Sequence, residues 1–276
     1  MIPDCSTSIG STHAVCQDYA RCGEGQDGPY VLLSDGCSSS HDTDIGARLL
    51  VLAAEKYVNW GYKVSMHDYP KAVIEEAYSH AKRIGLQETC LDATLMAVRM
   101  IDGSLVATVY GDGMIAQRIR GNIFVSEVSY PDGYPNYMSY MLNEDRSQAT
   151  KALRSPRILS FEIRPDGMTS ETGDIEMGCD FYYKYVDSEA DFVALISDGA
   201  TSFIKPVVSE TSKKAENVPL HEVLRGLLAF KSLPQHGDRS NLQTGFVRRR
   251  MQKFLKESSK NGWQHYDDLS VGAVAL

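Results

Sequence analysis

The sequence predicts an α+β fold in which helical layers cover the faces of antiparallel sheets. Three observations carry this. Stripes of apolar residues at helical spacing lie toward both ends of the chain, with a block of closely spaced strands between them. Short apolar runs end repeatedly on Asp-Gly. Two-residue turn signals join neighbouring strands.

Taken in order, residues 30–34 (YVLLS) form a buried strand that delivers Asp35 at its tip and turns at Gly36. Residues 43–60 carry Ile45, Leu49, Leu52 and Ala53 at helical spacing; Asp42 or Thr43 caps this helix and Gly61 ends it. A second helix spans 69–84, with Pro70 in its first turn, Gly85 at its stop and an apolar stripe of Val73, Ile74, Ala77, Tyr78 and Ala81. Strands at 93–101 and 104–110 are joined by Asp102-Gly103. Gly111-Asp112-Gly113 then breaks the chain before a strand at 114–120, and a turn at Gly121-Asn122 leads into 123–130, completing an antiparallel meander. Residues 129–190 are punctuated by aromatic residues, Pro and Gly, and are expected to leave the sheet as a flap or lid. A strand at 191–197 ends on Asp198-Gly199. Two helices follow, at 219–230 and 244–257. Asp267-Asp268 then opens a final strand at 269–276. The run Arg248, Arg249, Arg250 and Lys253 reads as the solvated face of the second of these helices.

The chain has 276 residues, 43% of them hydrophobic and 23% charged, enough to bury a sizeable core. Its formal net charge of -8 gains nothing from phosphate counterion release, which argues against non-specific nucleic-acid binding. The six cysteines form no CxxC pair, so a zinc site of ordinary spacing is not expected. No signal peptide and no run of about 20 apolar residues is visible, so reduced thiols in a cytoplasm and no membrane span are expected.

The chemistry lies in the aspartates. Asp35 and Asp198 both follow apolar runs within Ser-Asp-Gly, Asp112 lies in Gly-Asp-Gly between strands, and Asp18 precedes the first strong strand. Asp267 and Asp268 directly precede the last one. A single Asp-Gly is ordinarily a turn. Several carboxylates leaving buried strands are costly to bring together unless cations neutralise them, and carboxylate oxygens favour hard cations.

CQDY, SDG, GDG, a second SDG and DDLSV follow one another in an order that resembles the metal-dependent type 2C protein phosphatases. STHAVCQD is closest to the bacterial serine/threonine phosphatase branch. The resemblance runs from about Gly10 to Leu276 and implies one catalytic domain over 1–276, built as a four-layer α/β/β/α sandwich of two antiparallel sheets flanked by helices. It implies two divalent ions, Mn²⁺ or Mg²⁺. Asp35 would bridge them with help from the Gly36 carbonyl, Asp18 would serve the second, and Asp198 and Asp267 the first. Asp112 matches a position that can bind a weaker third ion. Asp268 stands where the family usually has Asn and ranks below Asp267. The implied reaction is hydrolysis of phosphoserine or phosphothreonine in a phosphorylated protein by a metal-activated water, opposing a serine/threonine kinase. Cys16 and Cys22 are spaced as Cys-x5-Cys and lack the arginine of a Cys-x5-Arg nucleophile loop.

The chain departs from the pattern at two places. Cys37 occupies the position of a His that protonates the leaving group, and His41 is the nearby candidate acid, with water as the alternative. His13 occupies the position of an arginine that binds substrate phosphate. The Cys37 change motivates an alternative, a degenerate phosphatase fold acting as a binding or regulatory module. A small-molecule phosphoesterase is a further one.

Overall fold

This computed structural model describes residues 1–59, 65–131, 133–151, 156–176, 181–208, 213–230, 233 and 245–276. The elements begin with β1 (Ile2–Ser8), β2 (Tyr19–Glu24), β3 (Pro29–Ser34), α1 (Thr43–Asn59) and α2 (Tyr69–Arg83). The central strands are β4 (Leu95–Ile101), β5 (Ser104–Tyr110), β6 (Gly113–Ile119) and β7 (Asn122–Ser129). After α3 (Glu144–Lys151) come β8 (Arg157–Ile163), β9 (Thr169–Glu176), β10 (Tyr182–Tyr185) and β11 (Ala190–Ile196). The chain finishes with β12 (Phe203–Val208), β13 (Lys213–Asn217), α4 (Leu220–Leu227), α5 (Phe246–Lys260), β14 (Gln264–His265) and β15 (Leu269–Ala275). A seven-stranded sheet is ordered β1-β15-β11-β6-β7-β8-β9, a five-stranded sheet β10-β5-β4-β3-β2, and a small sheet β13-β12-β14.

Strand alternation explains the layers. In β3, Val31 and Leu33 face one way; Tyr30 and Leu32 face the other. Val31 and Leu33 meet Val193, Leu195 and Val274 from the seven-stranded sheet, forming a core between the sheets. Tyr30 and Leu32 pack with Leu50 and Val51 of α1 and Val73 and Ile74 of α2. On the other side, Phe192, Ala194 and Ile196 of β11 pack with Leu224 of α4 and Phe246, Met251 and Phe254 of α5. Three apolar interfaces separate four layers, helix, sheet, sheet, helix, as expected.

The turns are short and built for the hairpins. Asp102 and Gly103 both have positive φ (48° and 79°), as the tight β4–β5 turn requires. The next hairpin turns on Arg120-Gly121 (φ 51° and 87°), one residue earlier than Gly121-Asn122, because Ile119 pairs with Asn122.

The structure corrects four expectations. The meander divides at Gly111–Gly113: β4 and β5 belong to one sheet, β6 and β7 to the other. Of the stripe expected for α1, Ala53 is buried and Leu49 packs partly buried against the core, but Leu52 is exposed, and the buried face is built on Ala47, Leu50, Val51 and Ala54. Both sets have helical spacing, and the small Gly46 selects the face that sits against Cys90. The expected excursion over 129–190 does not leave the sheets entirely: it supplies β8 and β9 to one sheet and β10 to the other. Its described residues from Tyr130 to Lys151 form no strand and hold a 3₁₀ turn (Met138–Leu142) and α3. Residues 132, 152–155 and 177–180 of that stretch lie outside the described residues, as do Gly61 and Cys179. Finally, β1, β2 and the small sheet are strands that periodicity did not indicate. Among the described residues, no helix is long and apolar enough to cross a membrane.

Candidate metal centre

The ends of β2, β3, β6, β11 and β15 bring five aspartates within electrostatic reach of one another. Asp18 immediately precedes β2 and is buried. Its Oδ2 accepts hydrogen bonds from Ser197 Oγ (3.1 Å) and from Ser270 Oγ, while its Oδ1 is buried without a partner. Ser197 directly follows β11 and Ser270 lies in β15; Ser270 N donates to Ser197 Oγ at 2.9 Å. These hydroxyls orient Asp18 and leave one oxygen facing inward.

Asp35 follows β3. Its N–H donates to Thr94 Oγ1 (3.0 Å) and its carbonyl accepts from Thr94 N (2.8 Å), which fixes the strand tip. Burial, then the charges of Asp18 and Asp198, push its carboxyl well above the usual range. Gly36 donates to the Gln17 carbonyl at 3.2 Å. Its φ is not positive; a Cβ there would press within 2.9 Å of Thr43 and 3.0 Å of Gln17 O, so close approach demands the glycine. Asp112 stands between Gly111 and Gly113 (φ 90° and 129°), where the chain changes sheets. Burial and the charges of Asp198 and Asp267 raise its carboxyl to about 8. Burial also raises Asp18, to about 7. Asp198 begins a 3₁₀ turn after β11. Asp267 is half-exposed, and its carboxyl is raised by burial and then by Asp198.

Asp268, 1% exposed, differs from its neighbour. It accepts from Gly10 N (2.7 Å) and Gln17 N (2.5 Å), closing the loop before β2 onto the last strand. His13 sits in that loop with Nδ1 3.0 Å from Asp268 and Nε2 3.6 Å from Asp267. Burial pulls its pKa down, but the carboxylates of Asp268, Asp267 and Asp18 outweigh this and raise it. His13 is thus at the site, tied to carboxylates. His41 is exposed before α1, and among the described residues no hydrogen bond or ion pair joins it to the aspartates.

Sequence reasoning missed a second layer. Asp92 is buried and accepts from Ser40 Oγ (2.8 Å), Ser139 Oγ (2.6 Å) and Arg146 Nη2 (2.8 Å); its carbonyl accepts from Cys37 N at 2.8 Å. It thereby pins the 130–151 segment to the loop after Asp35. Tyr137 from this segment lies against the Cys37 thiol; burial, then Asp112 and Cys37, push its phenol far up. Asp92 does precede a strand, the signal used for the others, but no Gly follows it.

The carboxylates converge without closing into a cage: among the described residues, no group of three or more His, Cys, Asp or Glu side chains is set around a common point as ligands. The donor set still fits hard cations. All five candidates are carboxylates, at least three have protonation favoured by mutual repulsion, and Asp18 keeps an unpartnered oxygen.

A family model described as protein phosphatase 2C matches residues 7–228. No curated protein matches the chain in sequence. Among solved structures, serine/threonine phosphatase Stp1 from Staphylococcus aureus is 14% identical, with 100% of this chain and 95% of that chain covered and a TM-score of 0.53. The Mycobacterium tuberculosis serine/threonine phosphatase PstP/Ppp is 14% identical, covering 99% and 97%, with a TM-score of 0.53. The catalytic domain of PstP in complex with two manganese ions is 14% identical, covering 98% and 96%, with a TM-score of 0.51. At that identity the structures establish the shared fold, and the family model, which spans most of the chain, establishes the lineage. The chain belongs to the protein phosphatase 2C family, whose members are protein serine/threonine phosphatases.

Proposed function

We propose that this chain hydrolyses phosphoserine and phosphothreonine in phosphorylated proteins, using two divalent ions held by Asp18, Asp35, Asp198 and Asp267, with Asp112 at a weaker third position. One observation carries the reading: aspartates separated by up to 249 residues meet where five strands end (267 − 18 = 249). The two manganese ions of the PstP catalytic domain support Mn²⁺, with Mg²⁺ accepting the same oxygen ligands. When bound as a pair, such ions supply a shared water of lowered pKa and offset charge on the phosphoryl oxygens.

The chain's own groups do the rest. Asp35, buried and facing the charges of Asp18, Asp198 and Asp112, suits the bridging place. Ser197 and Ser270 hold Asp18 in one rotamer. His13, its protonated form favoured by Asp267 and Asp268, offers N–H donors beside the site for a substrate phosphate. His41 or water would protonate the leaving alkoxide, since the Cys37 thiol is a poor acid for it. A protein substrate accords with the family, and a serine/threonine kinase is the enzyme class that would supply it. The cytoplasm suits the free thiols.

Cys37 favours one other reading, a phosphatase fold kept for binding. A single assay separates them. Purified chain is given a phosphothreonine peptide with and without Mn²⁺, beside Asp35→Asn. Metal-dependent phosphate release, lowered at least about a hundredfold in the variant, is expected. No release with Mn²⁺, or equal release from the variant, would contradict catalysis. A parallel series of small phosphoesters tests the choice of protein substrates.

A further inference from the structure

Two cysteines away from the aspartates stand in direct contact through their sulfurs. β1 and β2 are edge strands of different sheets, β1 beside β15 and β2 beside β3. Their facing side chains bring Cys5 Sγ and Cys22 Sγ to 3.2 Å, with the Cys5 thiol donating to Cys22. Both residues are half-buried, and both are free thiols. Cys5 also lines an open groove of about 420 Å³ with Ser6, Thr7, Ser8, Ala20 and Arg248, wide enough for a small oxidant. The other described cysteines have no sulfur partner: Cys90 is buried, Cys16 donates to the Asp18 carbonyl at 3.6 Å, and Cys37 contacts Ser39 Oγ at 3.0 Å. The hydrogen bond from Cys5 lowers the Cys22 pKa despite burial, which favours the thiolate on Cys22.

We propose that Cys5 and Cys22 are a redox modification site, oxidised by hydroperoxides to a reversible disulfide that staples the edges of the two sheets. The Cys22 thiolate attacks the peroxide, breaking its O–O bond and taking one oxygen as sulfenic acid; the departing hydroxide takes up the proton lost from Cys22. The Cys5 sulfur then displaces that oxygen as water, forming the S–S bond and losing its own proton. With hydrogen peroxide the sum is two thiols and one peroxide to one disulfide and two waters. Two electrons pass from sulfur to the peroxide oxygens. The sulfurs need approach by only about 1 Å to reach bonding distance. The bridge closes a loop over residues 6–21, the segment that carries His13 and Asp18, and so restricts the unfolded chain.

The test needs no phosphatase activity. Reduced full-length protein is treated with stoichiometric hydrogen peroxide, digested without reductant and analysed by mass spectrometry. The peptides containing Cys5 and Cys22 are expected linked, lighter by two hydrogens, and separable by dithiothreitol. The thermal midpoint of the linked protein is expected to rise by several degrees, and Cys5→Ser is expected to show no such rise and to trap a dimedone-reactive sulfenic acid on Cys22. Peptides that stay unlinked while Cys16 or Cys37 is oxidised would overturn the site. Linkage without a rise in midpoint would overturn the staple. The wild-type digest decides the first point even if the variant fails to fold.

Discussion

Asp267 and Asp268 are adjacent in sequence and opposite in role. Asp268 satisfies the buried N–H groups of Gly10 and Gln17, so Asp268→Ala strands two donors. A loss of about 3 kcal/mol in urea unfolding of the metal-free protein is expected. Asp267, half-exposed, accepts from its neighbour's N–H and lies 3.6 Å from the His13 ring, so on the proposed reading it would serve the metal site rather than the fold. Asp267→Ala should leave unfolding within about 0.5 kcal/mol of wild type while weakening Mn²⁺ binding. The crowded carboxylates also set a pH dependence. Asp18 at about 7 and Asp112 at about 8 lie above the 3.8 of a free aspartate. Raised values mean the folded chain holds protons that the unfolded chain releases, so their stabilisation is complete below pH 3.8 and is lost as pH rises through 7 to 8. In chelator, this term makes the protein melt at a lower temperature at about pH 9 than at about pH 5, and Mn²⁺ should reverse the order. Calorimetry across that range checks it.

At the scale of elements, close contacts decide which helix face is buried and which strand tip reaches the site. A Cβ on Gly46 would overlap the Cys90 carbonyl, forcing α1 off its neighbour. Gly46→Ala should cost about 2–3 kcal/mol despite its better helix propensity, measured by denaturant unfolding. Helix α5 has no side-chain cap of its own at Gly245; instead Asp4 of β1 accepts from Val247 N (2.5 Å) and Arg248 N (3.3 Å). That tertiary cap was invisible in sequence, because its two halves lie more than two hundred residues apart. The α2, α4 and α5 stripes were legible because each offers one apolar face at helical spacing, whereas α1 offers two and the collision at Gly46 chooses between them. Strands β3 and β11 were legible as continuous apolar runs because both their faces are buried. β9 (TSETGDIE) is an edge strand held by its ladder to β8, and its polar composition reads as loop.

For the whole molecule, the two sheets and their helices share one continuous set of layers, so packing in the middle should be felt throughout. Leu195 is fully buried between the sheets. Leu195→Ala should cost about 2–5 kcal/mol in a single unfolding transition, as one domain predicts. The aspartates at strand tips could be read from sequence because Asp35 and Asp198 end apolar runs and the others border strands, and their order carries the resemblance to the family. Asp92 could not, since its partners Ser40, Ser139 and Arg146 come from three separate segments. The most direct test of the central claim is Mn²⁺ binding to the purified, chelator-stripped chain by titration calorimetry. Two strong equivalents per chain are expected, with Asp35→Asn losing both or all but one. Binding of none, or wild-type binding in Asp35→Asn, would contradict the metal centre.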